Sequence, residues 1–196
     1  MFHVKAPLIT LDRGLSTRIL ALDTCAPGAA AIAYLSPLLA VVVGILHASL
    51  APVIEVGGVK PNLVLVAVVL VTVLAGFLPG ITWAFVAGVT ANLLVGDPLG
   101  SIPLTMLLVA ALVAGGARLI GGMGWVYPVV ATFAGSLVAD VGSLLVGQLV
   151  TGTPIAGVPL DRLLAAAVLN AAIAALVLYP ARALAGRYVA DEGAAW

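Results

Sequence analysis

Charge is scarce in this 196-residue chain: Asp, Glu, Lys and Arg together make up 8% of it, eight acidic and eight basic, for a formal net charge of zero. Soluble domains carry about 25%, and sixteen charged side chains cannot clothe a water-facing surface of this size. A soluble globular fold, a coiled coil and intrinsic disorder are therefore excluded. No Lys/Arg cluster is present, which argues against nucleic-acid binding. One cysteine, Cys25, excludes an internal disulfide framework and any cysteine-rich metal site. No HExxH, GxSxG or paired-carboxylate arrangement occurs, so the sequence offers no enzyme chemistry and implies no cofactor.

What the chain has in abundance is apolar length, with 63% of residues hydrophobic. Charge-free stretches run over 24–54, 61–96, 101–117, 119–139, 141–160 and 163–181. The stretch from Pro61 to Gly96 would reach ~54 Å as one helix, against a hydrocarbon core of ~30 Å. It must fold back, and Phe77-Leu78-Pro79-Gly80 offers the break. Most of the twelve prolines fall near the ends of apolar runs. Pro61 and Pro128 occupy expected first helical positions. Pro37 lies inside a run, where it either kinks a helix or marks its true start. These features predict an all-α polytopic membrane bundle with six spans, at about 32–54, 61–78, 80–96, 101–119, 128–150 and 162–181. The domain order is an N-terminal segment 1–28, a transmembrane domain 29–184 and a tail 185–196.

Six spans put both termini on one side. With the termini in the cytoplasm, Lys5, Arg13, Arg18, Arg118, Arg182 and Arg187 lie inside and only Lys60 and Arg162 outside. That bias follows the positive-inside rule. In the first 28 residues, Leu11, Leu15 and Ile19 recur at roughly helical spacing. The segment reads as a tail or as an amphipathic stretch on the inner leaflet, and not as a cleavable signal peptide.

The polar residues inside the spans are few. Asp140 falls near the bilayer midplane, where an acidic side chain costs ~2.5 kcal/mol or more. It either pins one helix to its neighbours, contacts a partner or ligand, or takes part in transport. Asn170 lies at nearly the same depth, which suggests a bond between the two. His47 and Asn92 fall in the outer half. A lone membrane histidine usually serves packing, and with His3 in the tail a metal site is not expected. Span three carries Gly80, Ala84, Gly88, Asn92 and Gly96 at every fourth position, a face that admits a close helix neighbour from the bundle or from a second copy. Ala167, Ala171 and Ala175 suggest the same for span six. The glycines from Gly115 to Gly124 lack the Lys-Ser/Thr ending of a phosphate loop and read as an inner turn around Arg118.

From Val59 to Gly100 the sequence resembles the rod shape-determining protein MreD family of bacteria. The segment GGVKPNLVLVAVVLVTVLAG is followed by PGITWAFVAGVTANLLVGDPLGS. In that family a Pro-Asp or Pro-Asn-Leu opens the second helix, here Pro61-Asn62-Leu63. A glycine-rich third helix then leads through an acidic position to a Leu-Gly pair, here Gly88, Asn92, Leu99 and Gly100. Where the family usually has aspartate this chain has Asn92. GSLVADVGSLL, with Asp140, resembles the fifth helix. LDRLLAAAVLNAAIAALVLYPARAL, with Asn170 and Arg182, resembles the last.

The resemblance implies a non-enzymatic scaffold of the cell-elongation machinery in the bacterial cytoplasmic membrane. Its partner would be the bitopic protein MreC. The cytoskeletal protein MreB, a peptidoglycan transpeptidase and a SEDS-family glycosyltransferase would be nearby. The family is also similar in fold to the substrate-binding S-components of energy-coupling-factor transporters, which gives the alternative: capture of a vitamin or metal ion from outside. That alternative needs a polar pocket near the outer mouth, and an Ala29-x-x-x-Ala33 pair resembles the S-component docking motif.

Overall fold

The computed structural model describes residues 27–50, 53–55, 58–120, 124–152 and 159–193. Among them are six helices and no strand: α1 (Pro27–Leu50), α2 (Leu63–Ala75), α3 (Phe77–Val95), α4 (Ser101–Ile120), α5 (Val126–Thr151) and α6 (Leu160–Gly193). The N-terminal reading, with Cys25, lies outside the described residues. Two compact units divide the chain, Met1–Ser36 and Pro37–Trp196. In the first, the described part is the opening of α1. All that follows concerns the second.

Four helices are long and apolar enough to cross a membrane: Phe77–Val95, Ser101–Ile120, Val126–Val150 and Leu160–Arg182, with 19, 20, 25 and 23 residues. At 1.5 Å per residue they reach roughly 28 to 38 Å. Their outward faces are apolar, as the row Leu104, Leu108 and Leu112 on α4 illustrates, each at least half exposed. Six spans of similar standing were expected. Of the other two helices, α1 has 24 residues, while α2 has only 13, about 20 Å of helix.

That short helix is the centre of the bundle. α2 packs against α3, α4, α5 and α6, and Val64, Leu65, Val68 and Val69 are fully buried. Its neighbour α6 runs parallel to it. Asn62 bonds to Asn170, and one and two turns further on Val66 and Leu70 cluster with Ala174 and Leu178. Since α6 begins at Leu160, the start of α2 lies about 15 Å along α6, well inside the bundle. The second apolar element therefore begins at depth, below the start of its neighbour α6.

Proline and glycine fix the helix ends, though not always where the sequence suggested. The break between α2 and α3 falls at Gly76, not at Pro79-Gly80. Gly76 has φ +96°, a conformation open to glycine and costly for other residues. Pro79 sits third in α3, within the first turn, where no intrahelical N–H partner is required. Pro103 in α4 and Pro128 in α5 take the same third position, and Pro61 precedes the cap of α2 instead of opening the helix. Pro37 lies inside α1, so it does not mark that helix's start. Pro180 lies inside α6, which continues to Gly193 beyond the expected end of span six.

The small-residue face of α3 is consumed inside the bundle. Gly80, Ala84, Gly88 and Asn92 are buried. A Cβ on Gly88 would lie 2.8 Å from the Pro103 Cα, so α3 and α4 touch backbone to backbone there. On the other side, α1 presses on α3 where a Cβ on Gly44 would lie 2.9 Å from the Ala87 carbonyl oxygen. On α6 the buried face is Ala167, Asn170, Ala171, Ala174 and Leu178. Ala175, expected on the packed stripe, is exposed.

Candidate functional site

The buried polar groups converge at the start of α2. Asn62 caps that helix, its Oδ1 accepting from the Leu65 N–H at 3.0 Å. Such a cap satisfies one of the donors that every helix start leaves open. The Asn62 N–H itself donates to Asn170 Oδ1 on α6 at 2.8 Å. Asn170 Nδ2 donates to Ser136 Oγ on α5 at 2.9 Å, and Ser136 Oγ donates to Asp140 Oδ2 at 3.4 Å. Asn170 and Ser136 are each about 1% exposed. The seam thus ties α2, α5 and α6 together and pairs polar groups that burial would otherwise leave without partners. Asp140 and Asn170 are joined as expected from their equal depth, but through Ser136 and not directly.

Ser136 was missed by sequence reasoning. It stands four residues before Asp140, one turn away on the same helix face, and that spacing is the signal that was there to read. Pro61, buried beside the seam, contributes no N–H and so adds no donor needing a partner at this depth.

Asn92 builds a separate structure, the turn between α3 and α4. It is 3% exposed. Its Oδ1 accepts from the Gly100 N–H at 2.8 Å, while its Nδ2 donates to the carbonyls of Asp97 at 3.0 Å and Pro98 at 3.3 Å. Gly100 has φ +90°, so this turn needs glycine there. The two donations explain why an amide suits position 92: a carboxylate accepts hydrogen bonds and cannot give them. Gly88 lies one turn before Asn92 and acts by letting α4 approach.

At the other end of the bundle, the Tyr127 hydroxyl donates to the Val113 carbonyl, closing α5 onto α4. Arg182 donates to the Gly124 carbonyl at 3.0 Å. The basic residue read as a membrane exit thus also fastens α6 to the turn before α5.

Above the seam lies a cleft of about 370 Å³. It exists because α2 starts deep while α1, α3, α5 and α6 extend past it. His47, Lys60, Asn62, Asp140 and Asn170 supply its polar wall, and Leu94 and Val95 part of the apolar one. Among the described residues, His47 Nδ1 is the buried side-chain polar atom without a hydrogen-bond partner. Of the expected residues, the structure brings Pro61, Asn62, Asp140, Asn170 and His47 to this cleft, and leaves Gly88, Asn92 and Gly100 in the α3–α4 packing and turn. No group of three or more His, Cys, Asp or Glu side chains able to hold a metal occurs among the described residues. In comparisons with known proteins, no family, curated protein or solved structure matches this chain.

Proposed function

We propose that this chain is a membrane scaffold of the bacterial cell-elongation complex, holding MreC by its helix surface in support of peptidoglycan synthesis. The observation that carries this reading is the work done by the segment resembling the MreD family. Asn62 and Asn92, its two asparagines, are both engaged in internal hydrogen bonds that set a helix start and a helix turn. Residues used this way shape a surface. Association in lipid then depends on close packing and a few interhelical hydrogen bonds, since hydrocarbon gives little hydrophobic drive. The termini lie in the cytoplasm, following the distribution of basic residues, and MreB, the transpeptidase and the SEDS-family glycosyltransferase join through the same assembly.

A second reading, an S-component that captures a vitamin or metal ion, is favoured by one observation, the cleft between α1, α3, α5 and α6. Depletion in the native cell separates the two. Rounding of rod-shaped cells with solute uptake intact supports the scaffold. Unchanged shape with loss of uptake of one vitamin or metal supports the S-component.

A further inference from the structure

The cleft above the seam carries an inference that goes beyond partner binding and holds with or without it. Lys60 and Asp140 line the same space, and no ion pair joins them among the described residues. The described hydrogen bond to the Asp140 carboxylate is the long one from Ser136, at 3.4 Å. A half-buried carboxylate with one weak donor has acceptor capacity that a cationic partner can fill. A simple cation entering the cleft would meet the Lys60 ammonium, and a simple anion would meet Asp140. A molecule bearing both charges meets each with its opposite. His47, Asn62 and Asn170 add uncharged polar side chains to the same wall. The volume, about 370 Å³, is at the small end of ligand sites, which span roughly 300–1,000 Å³.

We propose that this cleft binds a small zwitterion, with its ammonium at Asp140 and its acidic group at Lys60. Two sources share that chemistry: a free amino-acid-like solute, and the head group of an aminophospholipid from the surrounding bilayer. Asn62 and Asn170 form the floor, held in place by the hydrogen bonds that cap α2, so the site is preorganised by the same seam that fixes the helix.

Native mass spectrometry of the full-length protein released from a non-ionic detergent tests this. The probes are phosphoethanolamine, β-alanine and dihexanoyl phosphatidylethanolamine. Ethanolamine, inorganic phosphate and dihexanoyl phosphatidylglycerol serve as single-charge controls. At least one zwitterion should bind tenfold or more tighter than every control, and Lys60→Gln and Asp140→Asn should each weaken it at least tenfold. Lys60 is exposed outside the helices, so Lys60→Gln keeps the fold, and unchanged helicity by circular dichroism verifies this if Asp140→Asn does not fold. Tenfold preference for the short-chain lipid over both soluble zwitterions assigns the head-group source; otherwise the source is a solute. Absence of zwitterion binding, equal binding of any control, or a zwitterion affinity untouched by Lys60→Gln overturns the proposal.

Discussion

Replacing Asn170 with leucine tests whether the seam holds α2 in place. The two side chains share one branched skeleton, so the change removes the polar atoms, while the bulkier methyls of leucine add to the cost through overpacking. What is lost is the acceptor for the Asn62 N–H at 2.8 Å and the donor to Ser136 at 2.9 Å. Ser136 keeps its own donation to Asp140, whereas the Asn62 N–H is left unpaired about 15 Å inside the bundle. An unpaired buried donor costs roughly 1 to 3 kcal/mol, and hydrogen bonds between membrane helices average nearer 0.6, with a maximum of ~2. Asn170→Leu should therefore destabilise by about 1 to 2 kcal/mol, a fall of very roughly 2 to 8 °C in melting temperature for a chain of this length. Thermal unfolding in detergent, followed by circular dichroism, measures it. Ser136→Ala spares the Asn62 bond and should cost less, and the double variant Ser136→Ala/Asn170→Leu should cost less than the sum of the two single changes, because they share one bond. A neutral or stabilising Asn170→Leu, or strict additivity with Ser136→Ala, would refute the reasoning.

Gly88→Ala should destabilise by up to about 2 kcal/mol in the same assay, since overpacking costs typically 1–3 kcal/mol and exceeds the ~1 kcal/mol that alanine gains in helix propensity. The Cβ would meet backbone at Pro103, which cannot move aside as a side chain does. Asn92→Asp should lower stability by about 1 to 3 kcal/mol, as two donations vanish and a carboxylate faces two carbonyl oxygens; an unchanged melting temperature would contradict this turn geometry. Asp140→Asn should be tolerated better than Asp140→Leu if the residue pins helices, whereas equal damage to function from both points to a need for the charge. For topology, impermeant thiol reagents should spare Cys25 in intact spheroplasts and label Glu55→Cys in a Cys25→Ser background, and the reverse pattern would invert the orientation.

The spans were legible because scarcity of charge and apolar length are composition-level signals, and these locate α3, α4, α5 and the start of α6 to within a few residues. The depth of α2 was not legible. Its sequence is as apolar as a spanning helix, and what sets the level of its start is tertiary: the Asn62 N–H bonds to Asn170, a residue 108 positions away. Gly76 was passed over for Pro79-Gly80 because proline is a helix breaker in the interior and a neutral residue in the first turn, a distinction that depends on where the helix begins. The seam was half legible. Asp140 and Asn170 stood out as polar groups at one depth, but a serine attracts no notice in a membrane helix until its neighbours are known. The cleft could not be read at all, since it is the space left above a helix that starts late.

The scaffold reading stands on MreC binding, and reconstitution measures that directly. The tagged protein is purified with MreC in a mild non-ionic detergent, passed over a size-exclusion column and then incorporated into nanodiscs. A stable complex that persists through both steps is the expected result. Separate elution of the two proteins, with this chain recovered instead alongside an ATPase module and a bound vitamin or metal ion, would contradict it.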